Sequence, residues 1–356
     1  MPACSPAGTA VRRRCRGRPG ELTHEESLRF LETLTGFGKP YPVLVLTGGD
    51  VLMRDDVLEL ASRARANGVP VAVAPSVTPR LCDDVLATLR ELGVKVASLS
   101  LDGARPETHE SLRQVPGHFA QTLDGLRLLR RHGFTVQVNT VVTRESVAEL
   151  PEIAAIVREE GASIWEVFFL VRTGRGTGLQ ELDPEESEDV CHFLYDASRY
   201  GFIVRTVEAP FFRRVVAWRR EGRACTTGPL YERLSARLRD LLGEATPDSK
   251  AQTKGTRDGK GIVFVSHDGD VYPAGFLPLP LGNVRKESIV GLYRDSPLLE
   301  DIRAARFRGR CGACEYADLC GGSRARAFAA SGDPLGEDPG CAYAPASVAS
   351  SASTRR

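Results

Sequence analysis

The feature that most constrains this chain is an alternation running from residue 21 to about residue 210. Short apolar runs, several ending in glycine or a small polar residue, are each followed by a stretch with helical periodicity. The runs are YPVLVLTGGD, VPVAVAPS, VKVASLSLDG, FTVQVNTVVT and SIWEVFFLV. The intervening stretches include DDVLELASRARANG, LCDDVLATLRELG, FAQTLDGLRLLRRHG and VAELPEIAAIVREEG. Thr23-His24-Glu25-Glu26 has the form of a capping box, with Leu28, Leu31 and Leu34 following at helical spacing. Asp183-Pro184-Glu185-Glu186 places Asp at an N-cap, Pro in the first turn and Glu at N3. Five strands joined by helical connections of this length predict right-handed parallel crossovers. The expected class is α/β: part of a βα barrel fits best, and a doubly wound sheet is the alternative.

The pattern fails beyond residue 215. Residues 216–259 turn polar and read as a linker. GIVFVSHDGDVYPAGFLP predicts a β-hairpin turning at Asp268-Gly269, opening a small domain over 260–345. Ser- and Ala-rich residues 346–356 read as a disordered tail. Hydrophobic residues make up 42% and charged residues 26%, enough to bury a substantial core. The net charge of +1 gives no global pull toward nucleic acid or acidic lipid, and pairs such as Arg213-Arg214 and Arg219-Arg220 read as solvated helix faces. No apolar run approaches the roughly 20 residues that span a bilayer, and the arginine-rich N-terminus lacks the apolar core of a secretory signal. The expected compartment is the cytoplasm, with no membrane and no nucleic-acid partner.

In that compartment thiols stay reduced, so nine cysteines need another explanation than disulfides. Four are crowded at the end of the chain: Cys311-x2-Cys314-x5-Cys320, then Cys341. Four thiolates satisfy tetrahedral zinc, and they also satisfy a [4Fe-4S] cluster at one thiolate per iron. Spacing alone does not separate the two. Glycines and charges around these cysteines argue against thiols packed as small hydrophobes. Cys82 and Cys191 sit in predicted helices and are expected in the core; Cys225 falls in the predicted linker.

Ligand chemistry on parallel βα folds gathers where strands deliver their C-terminal loops. Here those loops carry Gly48-Gly49-Asp50, Ser100 with Asp102, Asn139, and Gly174-Arg175-Gly176. Adjacent glycines admit a ligand to the backbone, Asp50 can accept from an ammonium group, and Ser100 and Asp102 share a strand face.

Taken in order, TGGDVLMRDDV, SLSLDGARPETHESLRQVPGHF, QVNTVVT and CGACEYADLCGGSRARAFAASGDPLGEDPGC resemble a radical S-adenosylmethionine (SAM) enzyme with a C-terminal SPASM-type iron–sulfur domain, over residues 21–345. The C-terminal segment is similar to relatives in haem biosynthesis and peptide modification. The resemblance implies a partial TIM-like barrel over 21–215, followed by the cysteine-rich domain. Gly48, Gly49 and Asp50 would meet the SAM amino group, Ser100 and Asp102 the ribose, and Arg113 and Asn139 would lie near SAM. Cys311, Cys314, Cys320 and Cys341 would hold one auxiliary [4Fe-4S] cluster. The hairpin segment Tyr272-Pro273-Ala274-Gly275 has no thiol where many such domains carry one, so a second auxiliary cluster is not expected. The implied substrate is a peptide or a tetrapyrrole, and the implied electron source a partner such as flavodoxin or ferredoxin. No residue is singled out as catalytic.

The family's radical-generating cluster needs three cysteines spaced C-x3-C-x2-C after strand one, and its fourth iron binds SAM on the way to a 5′-deoxyadenosyl radical. No such triplet occurs in the 356 residues; Cys4 and Cys15 are the only cysteines before residue 21. Residues 1–20 therefore read as aberrant, and strand one as absent. One expectation explains both. Met1 to Val11 can be encoded so that the frame starting at the third base spells C-x3-C-x2-C, because Pro2, Pro6 and Thr9 each precede alanine and a T-ending codon before GC spells cysteine. Three readings follow: an active enzyme with a misrepresented N-terminus, a catalytically silent relative that binds a cluster and SAM, and a zinc protein on a barrel scaffold.

Overall fold

A computed structural model describes residues 19–172, 174–253 and 257–345. Most of the segment read as aberrant (residues 1–18) and the 346–356 tail lie outside the described residues, as does the Arg175 side chain.

The capping box forms as the sequence requires: the Thr23 hydroxyl accepts from Glu26 N and Glu26 returns to Thr23 N, opening helix α1 (His24–Thr33). Strands β1 (Leu44–Leu46), β2 (Val71–Val73), β3 (Val96–Ser100), β4 (Thr135–Val142), β5 (Ile164–Phe169) and β6 (Ile203–Val207) form one sheet, every neighbour parallel. Between them run α2 (Val57–Ala66), α3 (Asp83–Glu91), α4 (Pro106–Arg113), α5 (His118–Arg131), α6 (Leu150–Glu159) and α7 (Pro184–Ala197), the last opened by the Asp183/Glu186 capping box. Strand order follows sequence order without reversal. A doubly wound sheet needs a switch point where that order reverses, so that alternative does not describe this sheet.

One face of the sheet is covered by helices. Ala97, Leu99, Val136, Val138, Trp165, Val167 and Val204 are buried there. The Trp165 indole N–H is satisfied by the Thr140 hydroxyl at 2.9 Å, which donates in turn to Leu101 O at 2.8 Å. The opposite face is half-open, and alternation along the strands puts Ser100, Gln137, Asn139, Glu166, Phe168 and Arg205 on it. β1 is an edge strand; Val43 just before it and Val45 within it are 59% and 52% exposed.

Two readings of the sequence need correction. β6 was not anticipated, because Arg205 and Thr206 interrupt its short apolar run. Residues 216–259 are not a plain linker. They include the end of α8 (Phe212–Arg220) and all of α9 (Pro229–Leu242), which lies against α6 and α7 with Leu230, Leu234 and Leu238 buried. Beyond α9, Gln252 N donates to Val204 O at 2.8 Å, and a parallel bridge pairs Val204 with Ala251 along the β6 edge.

The hairpin turns where expected, with Gly269 at φ +86°. β7 (Phe264–Val265), β8 (Asp270–Tyr272) and β9 (Gly282–Asn283) make a small antiparallel sheet, followed by α10 (Ile289–Asp295), α11 (Pro297–Arg303), α12 (Gly309–Gly312) and α13 (Arg324–Ser331). This region ties back to α1: Arg285 pairs with Glu26, and Leu22 N donates to His267 O. Among the described residues no helix is long and apolar enough to cross a membrane.

Candidate functional site

Cys311, Cys314, Cys320 and Cys341 line one cavity together with Arg214, Arg310, Tyr316, Tyr343 and Asp338. All four are free thiols, and each sulfur accepts a backbone N–H. Asp338 N reaches Cys311, Tyr316 N reaches Cys314 and Gly322 N reaches Cys320, each at 3.4 Å; Tyr343 N serves Cys341. Three of these donors lie two residues after the cysteine they serve, so the local turns fold around the sulfur. Gly322 sits at φ +63°, and a Cβ there would come within 3.0 Å of Cys311 Sγ.

Cations surround the cavity. Arg324 Nη2 lies 3.6 Å from Cys311 Sγ, and Arg310 donates to Cys341 O at 3.2 Å. Arg214, 2% exposed, is held by Glu188 and stacks between Trp218 and Tyr343. Arg257 donates to Asp318 O, while its Nε and Nη2 are buried without a partner. Burial pushes the Cys320 thiol up to about 12 and the Cys341 thiol up to about 11, against the pull of the Gly322 N–H on Cys320 and of Arg214 on Cys341. Burial also raises the Cys314 thiol, while backbone donors are aimed at all four sulfurs. Among the described residues no three His, Cys, Asp or Glu side chains converge closely enough for a single ion. Tetrahedral zinc would need sulfurs about 3.8 Å apart, from Zn–S of about 2.3 Å. A four-iron cluster, with one thiolate per iron, fits a wider quartet.

A buried chain of hydrogen bonds connects this cavity to the end of β6. Glu208, at φ +59°, accepts from the Ser323 hydroxyl; Ser323 N donates to Asp338 Oδ2, and Asp338 N to Cys311. Arg326 pairs with Asp338 and donates to Glu208 O. Burial, then Asp258, raises the Glu208 carboxyl well above its ordinary value.

The strand-end residues are placed differently. Gly48 and Gly49 adopt φ of +99° and +55°, so glycine is required by conformation, and no atom lies within 4 Å of where a Cβ would stand. Asp50 has both oxygens occupied: Oδ1 accepts from Leu52 N and Ser76 N, and Oδ2 from the Thr78 hydroxyl. Asp102 is 2% exposed and equally committed, to Val141 N at 2.8 Å and to Arg113. His109 fixes the Asp102 backbone by accepting Asp102 N at Nδ1, so its proton sits on Nε2, 2.8 Å from His118. Burial, then His118 and Arg113, pushes His109 down to about 3 and keeps it neutral. The groups with capacity left are Ser100, half-buried; Arg113, whose Nε is buried without a partner; and Asn139.

Ser100, Asn139, Glu166 and Arg205 occupy one register row across β3 to β6. Gln137, one turn of the pleat below, donates to Asn139 Oδ1 at 2.7 Å and Glu166 Oε2 at 2.9 Å, and accepts from Arg205 at 3.3 Å. Burial raises the Glu166 carboxyl, with Arg205 and Gln137 opposing. Sequence reasoning passed over Gln137, Glu166 and Arg205; the signal was a charged or amide residue at alternate positions of otherwise apolar runs. Phe168 and Phe276 meet edge to face at 6.2 Å beside this face, with Phe276 38% exposed. A shallow depression at the opposite end of β5 and β6, lined by Ser163, Tyr200 and Lys250, holds none of these groups. Of the other cysteines, Cys191 is buried in α7, Cys82 is a half-buried N-cap of α3 rather than core, and Cys225 lies outside the quartet's cavity.

Comparison with known proteins gives one direction. Residues 4–157 match the model of the Radical SAM superfamily. An AdoMet-dependent heme synthase from Methanosarcina barkeri is 35% identical over 92% of this chain and 89% of its own length. A pre-heme d1 synthase from Dinoroseobacter shibae is 28% identical over 91% of this chain and 80% of its own length. Among solved structures, anSMEcpe with bound AdoMet and Cp18Cys peptide superposes with a TM-score of 0.61 at 16% identity, over 90% of this chain and 86% of that one.

Proposed function

The chain belongs to the radical SAM superfamily, and from that premise we propose that the open face of its sheet binds SAM while Cys311, Cys314, Cys320 and Cys341 hold an auxiliary [4Fe-4S] cluster. The sheet is then an arc of a TIM-like barrel, and residues 260–345 a SPASM-type domain. The observation that carries the cluster is the backbone N–H aimed at each of the four sulfurs. Such donors disperse thiolate charge, and the arginines around them offset a cluster's net negative charge.

A SAM-chelating cluster supplies one-electron cleavage chemistry when bound, fed by a reducing partner such as flavodoxin or ferredoxin. The chain's own contribution is positioning. Gly48 and Gly49 leave the backbone open to a ligand's amino and carboxylate groups. Ser100 and Asn139 present polar groups to the ribose and base. Asp50 and Asp102 act as girders that hold these loops, a role different from direct ligand contact. The substrate proposed first is a tetrapyrrole, with a peptide second: the 35% identical relative is a heme synthase, and Phe168 with the exposed Phe276 offers an apolar wall to a planar ring.

A catalytically silent relative is the second reading, favoured by the lack of C-x3-C-x2-C among the 356 residues. Assay of 5′-deoxyadenosine under reducing conditions separates the two, and sequencing the first sixty bases of the gene tests the shifted frame: codons 2, 6 and 9 must all end in T. Gly49→Val, which puts a branched side chain at φ +55°, should abolish SAM binding and leave C-terminal iron in place. Equal binding by wild type and variant would move the SAM site elsewhere.

A further inference from the structure

Building on the SAM-binding reading of the open face, we propose that Gln137, Glu166 and Arg205 are positioning residues that lock the Asn139 amide with its N–H₂ toward the ligand, making this position a hydrogen-bond donor to an acceptor atom of the adenosyl group.

Hydrogen-bond polarity sets the orientation of both amides. Arg205 can only donate, and the Glu166 carboxylate only accepts. The Gln137 atom facing Arg205 Nη2 at 3.3 Å must therefore be oxygen, and the atom facing Glu166 at 2.9 Å must be nitrogen. That nitrogen also lies 2.7 Å from the Asn139 side chain, which must meet it with oxygen. Charge at the two ends of the network thus fixes an amide orientation that electron counting at the amides alone would leave open. The Asn139 nitrogen is left without a partner among the described residues and is not sealed from solvent, so it faces the open side of the sheet. Ser100, its register neighbour on β3, offers its hydroxyl on the same side. Arg205 and Glu166 also face each other at 3.6 Å, so Arg205 opposes the upward push of burial on the carboxyl and holds the two ends in place.

The test reverses the polarity without changing size or net charge. In the double variant Gln137→Glu with Glu166→Gln, residue 137 becomes an acceptor for both Arg205 and Gln at 166. Asn139 must then turn its N–H₂ toward residue 137 and present oxygen to the ligand. S-adenosylhomocysteine binding to the full chain, purified anaerobically, is measured by calorimetry, with thermal midpoint and iron content as fold controls. The double variant and Asn139→Asp should each bind about tenfold more weakly or worse. Glu166→Gln alone, whose amide oxygen can still accept from Gln137 but whose N–H₂ could also take that place, should lose clearly less affinity than the double variant. Wild-type affinity in the double variant overturns the proposal, as does equal loss in the double variant and in Glu166→Gln alone. If the wild type itself binds no S-adenosylhomocysteine while its iron is intact, the SAM-binding reading of the face fails and this inference fails with it.

Discussion

At the open end of the sheet the acidic residues Asp50 and Asp102 spend both carboxylate oxygens on the protein itself, whereas in the cysteine segment the backbone spends its N–H groups on four sulfurs with guanidinium groups around them. The first region is a scaffold completed by its own side chains, with a few groups left over for a ligand. The second is a shell of donors and guanidinium groups, which we propose surrounds a cluster. A motif residue can therefore serve a site by contact or by holding up its neighbours, and only the count of satisfied atoms tells which. The two regions should consequently fail in different ways when altered.

The largest effect on stability should come from the shell. Arg214→Met removes the partner of Glu188 and leaves that carboxylate nearly buried, so denaturant titration should show a loss of about 3 kcal/mol. An unchanged midpoint would mean that the Arg214–Glu188 pair is not the brace its burial suggests. The next contrast sets two residues of one strand end against each other. Asp102→Asn puts an amide nitrogen against Val141 N or Arg113 and should cost about 1–3 kcal/mol. Ser100→Ala should leave stability within about 0.5 kcal/mol but weaken S-adenosylhomocysteine binding several-fold. If the two variants behaved alike, the distinction between girder and contact would collapse.

The smallest effect links the regions. Glu26 is pushed down to about 2 from 4.5 by Arg285 first and by the Thr23 N–H second. A depressed folded-state value adds stability that is present above pH 4.5 and is lost as the pH falls toward 2. Thermal midpoints of wild type and Glu26→Gln should therefore differ most at pH 7 and converge below pH 4.5; the pair is solvent-exposed, so the gap is small. A gap that widened in acid would contradict the assignment.

Much of this was legible in the sequence where local chemistry is self-sufficient. The capping boxes at Thr23 and Asp183, the five apolar runs and the Asp268-Gly269 turn need only near neighbours to specify them. β6 and α9 were not legible because their evidence is tertiary. Arg205 sits in a strand where it meets Glu166 on the adjacent β5 and Gln137 on β4 beyond it, and Leu230, Leu234 and Leu238 lie next to a long polar stretch that masks their periodicity. Positions of Asp50 and Asp102 were legible, but their partners Ser76, Thr78 and Val141 come from other loops and strands, so their hydrogen bonds were not.

What the cysteine quartet holds decides the nature of the C-terminal region. Iron and acid-labile sulfide, counted per chain after anaerobic reconstitution of the full protein and of Cys320→Ala, test this most directly. The account predicts at least about four of each in the wild type, with about four of each lost in the variant. Zinc without sulfide in the wild type, or undiminished iron in Cys320→Ala, would contradict it.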